Sequence, residues 1–175
     1  MAKNIFTDKK SFVDISNKTF KVFIILVVPL IIGVLFLSEG IIALIGGGGF
    51  SESASVLRIL VFALALIFFG NFFNSVLIAG NLQKKLMFVL GLAALVNITL
   101  NIFLIPKFSY FAAAYISIIT ELIVVSLGLY LSVKKIGYFP EIEKGGGILV
   151  SGAAMALFCI IFRQANFFFL LITSS

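Results

Sequence analysis

Few residues in this sequence are able to do chemistry, and those few sit in apolar surroundings. Glu121 lies within "AAAYISIITELIVVSLGLYL", and Ala114, Ser117, Glu121 and Gly128 recur there at three, four and seven residues, a small and polar helical stripe. Asn97 and Asn101 are four residues apart in "NITLNIFLIP", and with Gly91 and Ala94 they share a second helical face. Asn71 and Asn74 follow Gly70 in the same manner. Such groups offer hydrogen bonds between helices, or a place for a proton, a cation or a polar ligand. The plain reading of the asparagines is packing, because amides bridge helices where lipid offers no partner. Glu121 calls for more, since an ionisable side chain near mid-bilayer costs about 2.5–3.5 kcal/mol on insertion scales and usually faces a cavity or a partner. The readings are a structural hydrogen bond and the coupling of a proton or cation. Enzymatic chemistry is not expected, since no nucleophile and base set or acidic pair is placed for it. There is no His, and the single Cys159 lies in an apolar run, so no metal site, disulfide framework or cofactor is expected.

The elements that must position these groups follow from composition. The chain has 175 residues, 62% hydrophobic and only 11% charged, with 21 Phe, which is the composition of a membrane protein. Five runs approach the roughly 20 residues that a membrane helix needs. They are 22–45, 55–79, 86–105, 109–133 and, shorter, 148–162, with a truncated sixth run from Asn166. The runs are continuous rather than alternating, so helices are expected and a β-barrel is not. The expected fold is an all-α polytopic bundle of five full spans and an incomplete sixth. Its parts are a basic segment 1–21, a four-helix core 22–133, a loop 134–147 and a terminal helix with an incomplete last span, 148–175.

Basic residues orient the array. Lys3, Lys9, Lys10, Lys18, Lys21, Lys84, Lys85, Lys134, Lys135 and Lys144 fall on one side, and Arg58, Lys107 and Arg163 on the other. That bias predicts a cytoplasmic N-terminus. The formal charge of +6 then reads as topology and contact with anionic headgroups, not as nucleic-acid binding.

Within the spans, Pro29 and Gly33 predict a kink in the first, and Glu39 and Arg58 near the opposite membrane face either pair with each other or snorkel separately. Only "PKF" separates the third and fourth spans, so they are expected to form an antiparallel hairpin about Lys107–Phe108. That hairpin would set Asn97 level with Ser117 and a turn from Glu121, with the amides satisfying the carboxyl. "GGGG" at Gly46–Gly49 and "GGG" at Gly145–Gly147 lack the ending of a phosphate loop and read as turns. The glycosylation patterns at Asn17 and Asn97 read as chance matches.

The order "PLIIGVLFLSEGIIALIGGGGF", "SESASVLRIL", "LIAGNLQKK", "NITLNIFLIPKF" and "ITEL" resembles the C-terminal half of bacterial polysaccharide biosynthesis flippases of the multidrug/oligosaccharidyl-lipid/polysaccharide exporter superfamily. The resemblance spans about Met1 to Gly137. It implies one lobe of a two-lobed transporter in the bacterial cytoplasmic membrane, passing a polyprenyl-pyrophosphate-linked saccharide through a central cavity. It also implies a companion N-terminal lobe, so that this chain is expected to be a fragment or half of an assembly. Pro29, Gly33, Arg58, Asn97, Asn101, Pro106 and Glu121 fall on recurring positions of that family. Two departures stand out: Ser109 and Ala112 occupy places where the family carries glycine, and the cationic residues that hold pyrophosphate belong to the other lobe. A cation-coupled multidrug antiporter of the same superfamily and a non-transporting membrane scaffold are the alternatives.

Overall fold

The computed structural model describes residues 8–46, 50–141 and 146–173. Helix α1 runs Lys9–Gly46, α2 Ser51–Ala79 and α3 Gln83–Leu131. A short π-helical turn, Ser132–Ile136, follows, and then α4, Gly146–Thr173. No strand occurs among the described residues. Three helices are long and apolar enough to cross a membrane: Lys9–Ile45, Glu52–Ala79 and Gln83–Ile136.

Five separate full spans are not shown among the described residues. The third and fourth expected runs fall in α3, as two helices that meet in a kink at Ser109. A straight α-helix of its 49 residues would be about 74 Å long, more than twice the hydrocarbon thickness. Pro106 removes one backbone donor, and three residues later Ser109 leaves the helical region at φ 54°, ψ −145°. The two arms, 83–108 and 110–131, are pinned side by side by a hydrogen bond from Asn97 to Thr120. The expected hairpin is thus present, with its reversal at Ser109.

The expected break between a fifth span and an incomplete sixth is also absent: α4 is continuous, and Arg163, which lies between those two expected runs, falls within it. Its apolar part, Gly146–Ile161, is shorter than the other three helices. Pro29 lies inside α1, which runs uninterrupted across it. Of the glycines expected in turns, 47–49 and 145 lie outside the described residues; Gly46 ends α1, and Gly146 and Gly147 open α4, so most of the second glycine run is helix rather than turn.

Among the described residues the helices pack in the order α4, α1, α2, α3, each against its neighbours in that order. Helix α1 runs antiparallel to α2, because Arg58 near the start of α2 reaches Glu39 near the end of α1. Central α2 is the most enclosed: 33% of its most apolar window is buried, against 11% for α1 and α3. The aromatic core lies at the Lys9 end, where Phe12 of α1, Phe72, Phe73, Val76 and Ala79 of α2, and Tyr138 pack together. Edge-to-face ring pairs such as Phe12 with Tyr138 and Phe72 with Phe73 hold it. Elsewhere Met87, Phe88, Leu95 and Phe103 project outward from the first arm of α3, as apolar side chains do when their solvent is lipid.

Candidate functional site

Close approach of α2 to the second arm of α3 sets the position of Glu121. A Cβ built on Gly128 would come within 2.8 Å of the Phe73 Cβ, so only glycine lets the helices meet there. Further along the same contact, a Cβ on Gly70 would stand 3.4 Å from Val124 and 3.5 Å from Glu121 Oε2. The carboxyl therefore lies against the α2 backbone at Gly70. On its other side is a groove of about 350 Å³ between the arms of α3, lined by Leu90, Ala93, Asn97, Thr120, Glu121 and Val124 among others.

The amides of the first arm are used differently from the expectation. Asn97 Nδ2 donates to Thr120 Oγ1 at 3.3 Å, and Asn101 Nδ2 donates to both the carbonyl and the side-chain oxygen of Asn97 at 2.8 Å. Thr120 in turn donates within its own helix, its hydroxyl lying 3.0 Å from the Ile116 carbonyl and 3.1 Å from that of Ser117. The expected bond from these amides to Glu121 is replaced by this chain, because Thr120 rather than Glu121 faces Asn97 squarely. Ser117 points its hydroxyl to the Ala113 carbonyl, 2.9 Å away. Glu121 thus shares the groove with Asn97 and Thr120 without a hydrogen bond to either.

The remaining candidates divide. Ala94, expected on the polar face, is exposed and lines the groove with Asn97, whereas Gly91 is exposed with no atom within 4 Å of a Cβ built on it. Asn74 is half-buried, and its Oδ1 is enclosed without a hydrogen-bond donor. Asn71 is exposed, and its carbonyl accepts from Ser75 Oγ at 2.9 Å. Neither joins the Glu121 groove. Gly33 is buried against α4, where Met155 approaches it. The Arg58–Glu39 pair is present at 2.7 Å, and Arg58 Nε also donates to the fully buried Ser38 hydroxyl at 2.7 Å. Pro106 and Pro29 act through the backbone, as described above.

Three polar ties were not anticipated. Thr120 had a signal, since it precedes Glu121 and follows Ser117 by one turn. Tyr110 donates a hydrogen bond to Glu52 across the Ser109 end. At the Lys9 end Tyr138 donates to Asn17 Oδ1 at 2.9 Å, the Glu141 N–H donates to the same atom at 3.2 Å, and Ser132 donates to the Tyr138 carbonyl at 2.9 Å. Burial holds the Tyr138 hydroxyl proton more tightly than in a free phenol. Partners 58 and 121 residues apart in sequence leave no local trace of such contacts.

Comparison with protein-family models, with curated proteins and with solved structures found no match.

Proposed function

We propose that this chain is one lobe of a transporter that flips a polyprenyl-pyrophosphate-linked oligosaccharide across the bacterial cytoplasmic membrane for cell-surface polysaccharide synthesis. The lysine-rich Lys9 end faces the cytoplasm, and a second lobe packs against this one. The observation that carries this reading is the groove itself: a carboxyl in the middle of an apolar hairpin, beside Asn97 and Thr120, with no hydrogen bond to it among the described residues. Intramembrane ionisable groups of this kind mark substrate or ion pathways, and a binding place between packed elements near mid-bilayer is what alternating access requires. The order of motifs around the hairpin supports the choice of substrate class.

The test is made in the cell. Deleting the gene should remove the surface polysaccharide and leave its lipid-linked precursor on the inner leaflet. The wild-type gene should restore export, whereas Glu121→Leu should not, at equal membrane abundance. Normal surface polysaccharide in the deletion strain would overturn the reading. The absence of a donor to Glu121 also favours a cation-coupled antiporter as second reading; there, Glu121→Gln would abolish cation-driven drug efflux and leave polysaccharide untouched. Full function with Glu121→Leu would indicate a scaffold instead.

A further inference from the structure

The charge bias counts the lysines of the Lys9 end alike, and the fold divides them into two groups. Lys9, Lys10, Lys18 and Lys21 lie on α1 among acids: Asp14 is on the same helix, Asp8 accepts from the Lys10 and Ser11 N–H groups at its start, and Asn17 holds the Glu141 backbone against it. Lys84 and Lys85 open the first arm of α3, and Lys134 and Lys135 lie in the π-helical turn after the second. Between Phe72 and Tyr138 the one acid is Glu121, about 20 Å along the helix from Lys134. The two pairs are drawn to one place because the turn from α2 to α3 packs on the π-helical turn: a Cβ on Gly80 would come within 2.6 Å of Ile136 Cδ1. Lys9 adds to the positive field there, since its Nζ would stand 3.4 Å from a Cβ on Gly137. All four lysines of the pairs are exposed, and none forms an ion pair among the described residues. Exposed apolar surface continues from each pair toward the middle of the hairpin, Met87 and Phe88 from the first, Tyr130 and Val133 from the second. Lys134 Nζ donates to the Tyr130 hydroxyl at 2.6 Å and lies 5.1 Å from the ring centre. No acceptor takes the Tyr130 phenol proton among the described residues.

We propose that this edge of α3 is a site for one phospholipid with two phosphate groups, of the cardiolipin type. It is distinct from the diffuse attraction that any basic membrane face has for anionic headgroups. Two lysine pairs on separate chain segments match two linked phosphates, each ammonium donating to phosphate oxygens; the Tyr130 hydroxyl adds a donor; and the apolar strips take acyl chains. A lipid with one phosphate would leave a lysine pair without a counter-charge. Free phosphate or pyrophosphate would gain nothing from Met87 and Phe88. This site is separate from the Glu121 groove and does not rest on the saccharide-lipid reading.

Equilibrium binding of fluorescent cardiolipin to the purified full chain in uncharged detergent micelles, read by anisotropy, tests it. Binding should saturate at one lipid per chain. Lys84→Gln with Lys85→Gln should weaken it about thirtyfold, the loss of two lysine contacts, and Lys134→Gln with Lys135→Gln by about the same factor. Lys18→Gln with Lys21→Gln, which removes the same charge from α1, should leave the affinity unchanged. Circular dichroism should report one helix content for all of them. Displacing the probe should take at least about ten times more phosphatidylglycerol than unlabelled cardiolipin, and phosphatidylcholine and inorganic pyrophosphate should not displace it. Absence of saturable binding to the folded chain would overturn the proposal. So would equal weakening by the α1 pair, which would make the whole face a diffuse attractor, or equal displacement by phosphatidylglycerol, which would remove the two-phosphate match. Displacement by pyrophosphate as readily as by cardiolipin would overturn it too, since the site would then take a free anion and not a lipid.

Discussion

At the scale of single residues, the polar groups divide by whether a partner is within reach. Asn97, Asn101 and Thr120 spend their donors on one another and on their own helices. Glu121, one residue further along, has only the groove and the Gly70 backbone beside it. One hydrogen bond between membrane helices contributes about 0.6 kcal/mol on average, so the Asn97–Thr120 contact should be modest and measurable. In a double-mutant cycle, Asn97→Ala and Thr120→Ala should each lower stability, with a coupling of about 0.5–1 kcal/mol in reversible detergent unfolding. Strict additivity would show that Asn97 supports the hairpin only through Asn101. Sequence spacing put Asn97 and Asn101 on one face of the first arm and Glu121 on the second. It could not pair them correctly, because which of Thr120 and Glu121 meets the amide depends on the helix rotation that Gly128 and Phe73 impose.

At the scale of elements, the decisive feature is the reversal of α3. Ser109 holds φ 54° with ψ −145°, a combination that glycine adopts readily and other residues only under strain of about 1–3 kcal/mol. Ser109→Gly should therefore stabilise the chain by about 1 kcal/mol, the relieved strain being partly offset by the greater freedom of glycine when unfolded. A shift of the detergent-unfolding midpoint to higher denaturant checks this, and a shift the other way would mean that the serine side chain itself holds the turn. The hairpin was legible in advance: a proline, a cation and an aromatic between two apolar runs leave few other outcomes. What spacing did not place is the break itself, which falls at Ser109 rather than within Lys107–Phe108.

At the scale of the whole molecule, α4 packs against α1 alone among the described residues. Gly152 of α4 permits that contact: a Cβ there would stand 3.1 Å from Val28 Cγ1. Met155 and Cys159 continue the same helical face, and Cys159 is 1% exposed. As the one cysteine of the chain, it reports directly on this interface. Gly152→Leu should lever α4 away and raise the rate of Cys159 alkylation about tenfold or more, with helix content unchanged. An unchanged rate would mean that α4 is held by something other than its glycine contact with α1. The sequence by itself determined the helices, three of them long and apolar enough to cross a membrane, and the hairpin, because run length and proline are local matters. Only the tertiary structure decided the packing order of the helices, the partners of Asn97 and the Tyr138–Asn17 and Tyr110–Glu52 ties. Between mostly apolar helices in an apolar solvent, hydrophobicity chooses no neighbour. Close approach at glycines and a few hydrogen bonds do, and these become visible only once the helices are placed side by side.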